Sequence, residues 1–529
     1  MPKFVTLSDY LENSAARAGD RPAVVDPSGE VFTYRAFDEK ANRIANWLVS
    51  VGVQPGDRVG ISMPKGADSL SCVFGALKAG AVYVPVDYSA PKERNRYIFS
   101  NCRVAAACVD ARCTGIFDEP GEGGHLPNAV LVFGADAGAA PDAKPARFPA
   151  ASLASQSTSR PVTAARGPND LAYILYTSGS TGLPKGVMLT QENGTSYVDW
   201  CTEVFSPTEA DRFTSHAPFH FDLSILDIYV PMKHGAALYI ISEELGKNAA
   251  ALGAFIADNK ITCWYSVPSI LSLMTQFGKL EQHDASSLRI VNFAGEVFPV
   301  KYLRRLRELW PHPALYNLYG PTETNVCTFF KVPDTVPPER EDPYPIGKVC
   351  SHCKDLVIGD DGKPVEYGQE GLLYIAGKPV LQGYWADPER TAKAFITHDG
   401  ERYYNTGDVV RPDANGDFVF LGRKDRMIKR HGYRIELGEI EAALYKHAGV
   451  AEAAAIGLAQ AGDTIVIQAV LSAKPGAKLG VIAMKQHCAA HLPAYMIPDT
   501  FVFMDKLPAT STGKVDFQAL IRQAKGGST

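Results

Sequence analysis

Short apolar strands alternate with amphipathic helices along most of this chain, and that rhythm constrains its architecture more than any other feature. Arg58–Met63 reads as a strand, Asp68–Lys78 as a helix with apolar residues at helical spacing, and Val82–Val86 as a second strand. The pattern returns in Ala236–Ile241 (strand), Ala249–Asn259 (helix), Ile261–Tyr265 (strand) and Pro268–Gln276 (helix). It continues in Leu288–Phe293 (strand), Val300–Leu309 (helix) and Ala314–Leu318 (strand). Such alternation implies α/β layers, with helices covering the sheets. Cys113–Asn169, rich in Gly, Ala, Pro and Ser, reads as surface loops between strands. The turn Gly-Asp-Asp-Gly-Lys-Pro within Gly359–Gly371 fits a β-rich section running to about Phe420. After Leu421 a basic segment leads into a helix, Glu436–Lys446, and a βαβ-like tail to about Ala524. The expected organisation is a large N-terminal domain of layered α/β subdomains plus a β-rich section (1–421), a hinge (422–425) and a small mobile α+β C-terminal domain (426–529). A chain of 529 residues fits two or three domains.

Composition narrows the partners. Apolar residues make up 46% and charged residues 21%, as in ordinary globular proteins. A net charge of −5 gives no reason to expect nucleic acid or an anionic membrane. No uninterrupted apolar run approaches the roughly 18–20 residues that span a bilayer, and the first residues lack the apolar core of a signal peptide, so a cytoplasmic location is expected. Ten cysteines scattered over this length do not suggest a disulfide framework. Cys350-Ser-His-Cys353 has the spacing of half a zinc site without a second pair nearby, and reads as reduced thiols in a loop.

The feature richest in chemistry is Tyr176-Thr-Ser-Gly-Ser-Thr-Gly-Leu-Pro-Lys185-Gly, directly after the apolar strand Leu171–Leu175. Glycines let backbone N–H groups fold around an anion, hydroxyls add donors, and Lys185 adds positive charge. The loop is not the P-loop of common NTPases, which ends Gly-Lys-Ser/Thr and opens a helix. Here Pro184 precedes the lysine and disfavours a helix at that point. A mobile Gly/Ser linker is the bland alternative, but linkers rarely sit between a buried strand and a further apolar segment.

With these residues on view, the chain resembles the superfamily of adenylate-forming enzymes: acyl- and aryl-CoA ligases, adenylation domains and luciferases. The resemblance runs from about Leu7 to Leu520. It implies that Thr177, Ser178, Gly179, Ser180, Thr181, Gly182 and Lys185 cradle the β- and γ-phosphates of ATP. Leu77-Lys-Ala-Gly-Ala-Val-Tyr-Val-Pro-Val-Asp87 matches an early core motif. Asn317-Leu-Tyr-Gly-Pro-Thr-Glu323 matches the nucleotide motif. By resemblance Tyr319 stacks on adenine, Thr322 contacts the α-phosphate and Glu323 helps to hold Mg²⁺, with Gly295, Glu296, Asn317 and Gly320 also in the nucleotide site. An aromatic face suits a purine, and a carboxylate suits a hard cation bridging phosphates. Tyr404-Asn-Thr-Gly-Asp408 matches the ribose motif, with Asp408 accepting from the ribose hydroxyls. Gly422-Arg-Lys-Asp425 matches the hinge motif, with Arg423 near the ribose and Asp425 as the pivot. Lys514 matches the catalytic lysine that bridges carboxylate and phosphate, a task suited to a flexible ammonium; Thr512 stands where many relatives have Asn. A thiolation face is implied around His431–Arg434, reached by rotation about Asp425.

The acid is expected to be a small amino acid. Asp222, in Phe219-His-Phe-Asp222-Leu-Ser, occupies the position that pairs with a substrate α-ammonium in the amino-acid-activating branch. An ionised carboxylate in an apolar pocket is costly unless a cation joins it; the bland alternative is a helix cap before Leu223–Tyr229. By motif alignment the pocket is lined by Asp222, Leu223, Leu226, Tyr265, Asn292, Ala294, Leu318, Val326, Cys327 and Lys514. The series is similar to that of stand-alone proline-activating enzymes, the prolyl-carrier-protein ligases. Asn292 departs from it, where an apolar residue is expected, so proline stands beside a hydroxylated, methylated or ring-expanded analogue, a β-amino acid or another small apolar amino acid. Gly66-Ala-Asp-Ser-Leu70 resembles a carrier protein's phosphopantetheine site only superficially and reads as the start of a helix. The acceptor is therefore expected to be a separate carrier protein with a phosphopantetheine arm. The alternatives are a CoA ligase for a small carboxylic acid, against which Asp222 counts, and a non-catalytic nucleotide-binding protein.

Overall fold

The structure is a computed structural model that describes all residues except 1–3, 136–137, 180–182, 425, 461–464, 509–514 and 527–529. The chain falls into two compact units. One comprises 1–88, 96–176 and 186–422, and the other comprises 89–95, 177–185 and 423–529.

The first unit is built on three sheets. In a nine-stranded sheet, Ile290–Ala294 pairs in parallel with Cys263–Ser266 on one side and Ala314–Tyr319 on the other. Arg212–Ser215, Ala237–Ile240 and Pro22–Val25 extend the parallel run, and antiparallel strands close both edges. A second, eight-stranded sheet is parallel from Val82–Pro85 through Arg58–Ser62 and Val104–Asp110 to Ala146–Pro149. The third sheet, Cys353–Ile358, Gly371–Gly377, Glu401–Pro412 and Phe395–His398, is antiparallel. This is the α/β architecture with a β-rich section that the periodicity implied.

Most expected elements appear with shifts of a residue or two, and Val300–Leu309 appears with the expected bounds. One expectation needs correction. The stretch 113–169 is more than loop. It contains Ala129–Phe133, whose five residues are all buried in the eight-stranded sheet, and the edge strand Ala146–Pro149. The run Ala-Val-Leu-Val-Phe has the continuous apolar character of a strand covered on both faces, masked by the Gly/Ala/Pro-rich flanks. The Gly66–Leu70 segment does start a helix, Ala67–Lys78, and Ser69 is buried with its hydroxyl held by the Gly66 backbone.

The second unit contains the hairpin Met427–Arg430/Tyr433–Glu436, whose two turn residues, His431 and Gly432, both have positive φ, as a tight two-residue turn requires. The helix Leu437–Tyr445 follows it. A three-stranded sheet then forms, with Val450–Ala459 antiparallel to Ile465–Ala473 and Thr500–Phe503 parallel to it through the helix Val481–His491. No helix among the described residues is long and apolar enough to cross a membrane.

Candidate active site

In the nine-stranded sheet the candidate residues gather at the carboxyl ends of the parallel strands, where open α/β sheets bind ligands. Tyr319 ends the strand Ala314–Tyr319, and the loop that follows carries Thr322 and Glu323 before the chain returns antiparallel in Thr328–Lys331. The loop is tightly determined. The Thr324 N–H donates to the Pro321 carbonyl at 2.9 Å, and the Cys327 N–H donates to the Tyr319 carbonyl at 2.8 Å. Asn325 takes positive φ and accepts the Val326 N–H on its own side chain. Gly320 is required by space: a Cβ there would lie 1.5 Å from the Asn325 carbonyl oxygen. Asn317 donates to the Pro345 carbonyl at 2.9 Å. On the neighbouring strand end, Gly295 adopts φ of 95°, and Glu296 accepts the Ser269 N–H at 3.1 Å.

Glu323 is fully buried. Its backbone carbonyl accepts from the Leu381 N–H at 2.8 Å, and its carboxylate accepts from the Tyr384 hydroxyl at 2.8 Å. Tyr384 is a residue that sequence reasoning missed. The aromatic pair after Gly383, next to a strand end, was the available signal. Thr322 is half-buried.

Asp408 reaches Tyr319 through a β-bulge. Leu372 pairs with Val409 and Tyr374 with Asn405, so three residues, Thr406, Gly407 and Asp408, oppose Leu373 alone. Gly407 takes φ of 74°, Thr406 Oγ1 donates to the Leu373 carbonyl at 2.8 Å, and the Asp408 N–H donates back to Thr406 Oγ1 at 3.1 Å. Such bulges re-aim a side chain. Here the result is a hydrogen bond from the buried Tyr319 hydroxyl to Asp408 Oδ2. Burial first, and then the Asp408 charge, raise the Tyr319 hydroxyl well above its ordinary pKa, so it stays protonated and donates.

The expected pocket residues also meet. Leu226, Tyr265, Ala294, Leu318, Val326 and Cys327 belong to one buried apolar cluster, and Leu223 packs against it. Asn292 lies on the same face of its strand as Ala294, opposite Tyr265 in register. Asp222 directly follows the turn made by the Phe221 N–H donating to the Pro218 carbonyl, and its own carbonyl accepts the Ile225 N–H at 3.1 Å. The helix after it is Ser224–His234, entered through Leu223, whose dihedrals are already helical. The Asp222 carboxylate lies close enough to Tyr173 and Tyr265 to add to the effect of burial in raising both hydroxyls. Over the Phe219 ring, Lys65 donates to the Ser215 and His216 carbonyls at 2.6 and 2.8 Å, and burial lowers its ammonium to about 7; the sequence reading did not single it out.

In the second unit, Thr177 ends the strand Leu171–Thr177, and Lys185 starts another strand rather than a helix, as Pro184 implied. The Thr177 hydroxyl is buried and has no hydrogen-bond partner among the described residues. The Ser178 hydroxyl donates to the Arg434 carbonyl at 2.7 Å and accepts the Glu436 N–H at 3.1 Å, while the Gly179 N–H donates to Glu439 at 3.3 Å. Glu439 also pairs with Arg94. The Gly179 N–H therefore meets a carboxylate. Arg423 is half-buried. Ser180, Thr181, Gly182, Asp425 and Lys514 lie outside the described residues.

Comparison with known proteins defines the class. The family model described as AMP-binding enzyme matches residues 11–385, and the model described as AMP-binding enzyme C-terminal domain matches 439–514. The chain belongs to the AMP-binding enzyme family. It is similar to an L-proline--[L-prolyl-carrier protein] ligase of Pseudomonas fluorescens, 38% identical over 98% of this chain and 99% of the relative. A Streptomyces coelicolor protein of the same description is 38% identical over 96% and 94%. Among solved structures, the Vibrio cholerae adenylation domain AlmE in complex with glycyl-adenosine-5'-phosphate superposes with a TM-score of 0.82 over 99% of both chains at 22% identity, a likeness of fold.

Proposed function

We propose that this chain is an amino acid--[carrier protein] ligase that activates proline or a near analogue. The substrate carboxylate attacks the α-phosphorus of ATP, the bond to the bridging oxygen breaks, and pyrophosphate leaves. The phosphopantetheine thiolate of a carrier protein then attacks the acyl carbon, and AMP departs. The observation that carries this reading is Asp222, a carboxylate placed ahead of an otherwise apolar cluster and beside Tyr265. A carboxylate at that place suits a substrate α-ammonium, which would offset its charge. The descriptions of the two 38%-identical relatives support the same substrate and the same acceptor.

The roles follow the family motifs. Tyr319 packs on adenine, Asp408 accepts from the ribose, Thr322 meets the α-phosphate, and Thr177 to Gly182 with Lys185 hold the outer phosphates. Asn317, Gly320, Gly295 and Glu296 shape the nucleotide site, and Arg423 adds a cation near the ribose. Glu323 would hold Mg²⁺. The fit is good: its buried carboxylate is oriented by Tyr384, and Mg²⁺ commonly takes one or two carboxylates plus substrate phosphates. When bound, Mg²⁺ neutralises phosphate charge. Both reactants are anions, so Lys514 supplies the cation that lets them approach. The chain works as a core (1–421), a hinge (422–425, with Asp425 as pivot) and a small unit (426–529), in the cytoplasm, where ATP is at hand.

The test is amino-acid-dependent ATP–pyrophosphate exchange over proline, pipecolate, alanine, β-amino acids and aryl acids. Exchange with proline or a near analogue is expected. Lys514→Ala is expected to abolish most exchange while ATP still binds. Exchange confined to acids without an amine would defeat the reading of Asp222 and point to a CoA ligase.

A further inference from the structure

Lys65 lies in the short link between the strand Arg58–Ser62 of the eight-stranded sheet and the helix Ala67–Lys78. The link is fixed at its far end: the Ala67 N–H donates to Asp26 Oδ2 at 2.8 Å, and the Gly66 N–H donates to Ser69 Oγ at 3.1 Å. From there the lysine side chain reaches the nine-stranded sheet. Its ammonium donates to the carbonyls of Ser215, which ends the strand Arg212–Ser215, and of His216, the residue after it. The ammonium also lies 5.9 Å from the centre of the Phe219 ring.

A buried ammonium is costly unless other groups replace its water. Among the described residues Lys65 makes no salt bridge, and the groups that replace its water are main-chain carbonyls. The Asp227 and Glu243 carboxylates are close enough to favour the ammonium against the effect of burial. An ammonium held this way fixes the course of a backbone. That backbone is 216–223, which passes from the strand end to the helix Ser224–His234 through bends and turns, with no strand partner of its own. Its later half is tied by the Phe221 N–H donating to the Pro218 carbonyl at 3.0 Å and by Ser224 Oγ donating to the Phe219 carbonyl at 3.3 Å. Its start is tied by Lys65 and by the His216 ring, which donates to the Gly246 carbonyl at 3.1 Å. Asp222 is the last residue but one of this connection.

We infer that Lys65 is a positioning residue that sets the course of the 216–223 connection and, through it, the place of the Asp222 carboxylate against the amino acid. This rests on the reading of Asp222 as the partner of the substrate α-ammonium. Lys65 touches neither reactant; its effect passes through the main chain that carries Asp222.

The experiment is ATP–pyrophosphate exchange on Lys65→Met, made in wild type and in Asp222→Asn, with proline and MgATP varied separately. Methionine keeps an unbranched stem and removes the donor. In the wild-type background the proline KM is expected to rise about 10-fold, as the loss of charge-assisted hydrogen bonds allows, while the MgATP KM stays within about twofold. In the Asp222→Asn background the same change is expected to add no further rise, because a residue that acts through Asp222 then has nothing to act on. Circular dichroism checks folding. Should Lys65→Met fail to fold because Asp227 has lost its cation, Lys65→Met/Asp227→Leu removes both buried groups together and is read in the same two backgrounds against Asp227→Leu alone. An unchanged proline KM in the folded variant, or an equal rise in both backgrounds, would overturn the inference and leave the lysine a support of the core. Wild-type exchange with aryl acids and with no amino acid would instead defeat the reading of Asp222 and this inference with it, so the two failures are told apart by the wild type.

Discussion

Replacing Gly320 with alanine puts the nucleotide loop to a direct test. A Cβ built at this position lies 1.5 Å from the Asn325 carbonyl oxygen, 2.6 Å from its carbon and 3.1 Å from the Val326 Cα. All three obstacles are backbone, so no side-chain rotation relieves them. Ordinary van der Waals contact begins at 3.4 Å, so the Asn325 carbonyl must retreat by about 1.9 Å. The 320–327 segment is pinned at both ends. Tyr319 and Cys327 share a hydrogen bond, and the Glu323 carbonyl holds the Leu381 N–H. The displacement therefore falls on Thr322 and Glu323, the residues proposed to meet the α-phosphate and the metal. A 1 Å misplacement of reacting groups costs on the order of 100-fold in rate. Gly320→Ala is therefore expected to lose at least about 100-fold in ATP–pyrophosphate exchange. Thermal melting and circular dichroism of the purified variant check that the folded fraction accounts for none of the loss. The control is Gly416→Ala: Gly416 has φ of 79° with open space around it, so alanine there should cost about 1 kcal/mol of stability and no activity. A folded Gly320→Ala protein within threefold of wild type would refute the argument that this glycine is required by close approach.

Three further outcomes are expected. Tyr384→Phe removes the 2.8 Å hydrogen bond to the buried Glu323 carboxylate, a bond to a charged group worth about 1.5–3 kcal/mol. Exchange should then require a higher Mg²⁺ concentration, and an unchanged Mg²⁺ titration would show that Tyr384 does not position Glu323. Asp222→Asn should raise the amino acid KM by about 100-fold or more while MgATP binding, followed by calorimetry, stays as in wild type; an equal loss of MgATP affinity would argue for misfolding instead. Asp211→Ala strips acceptors from Arg289, from Thr262 and from the Thr208 N–H, at a cost of about 1.5–3 kcal/mol near neutral pH in urea unfolding, because the partly exposed Arg289 can turn to water. Burial works to raise the Asp211 carboxyl, but the Arg289 pairing and the other donors win and hold it below its ordinary 3.8. Its stabilising contribution is thus full above 3.8 and lost as pH falls toward the folded value, so the gap between wild type and variant should narrow only in acid. A gap that narrows toward alkaline pH would contradict this assignment.

How far the sequence reveals this protein depends on the kind of interaction. Helices with a clean apolar stripe, such as Val300–Leu309, are local and read directly. The 317–323 segment is marked in the sequence because its one glycine, Gly320, answers a local demand for space. The parallel order of the nine-stranded sheet does not read, since pairings such as Ile290 with Ala314 join residues that only tertiary packing brings together. The strand Ala129–Phe133 was hidden because its apolar run is short and its neighbours have loop composition. Tyr384 beside Glu323, and Arg434 and Glu436 beside Ser178, are contacts across long sequence separations that no spacing rule reports. Asn292 was legible as a departure from an apolar pocket. Its place between two tyrosines was not, because register decides it.

The two halves of the candidate site are held by different physics, and this bears on how such an enzyme can change its substrate. The residues proposed for the nucleotide are set by backbone devices: a glycine with no room for a methyl group, an asparagine at positive φ, and a bulge that turns Asp408 toward Tyr319. Altering any of them moves main chain, and the rest of the site moves with it. The pocket residues Tyr265, Asn292, Ala294 and Leu318 instead sit on regular parallel strands whose hydrogen-bond ladders do not depend on which side chain they carry. A volume-conserving exchange there leaves the ladder intact and usually costs under about 1.5 kcal/mol. Selectivity can therefore drift at such strand positions while Glu323, Tyr319 and Asp408 keep their geometry.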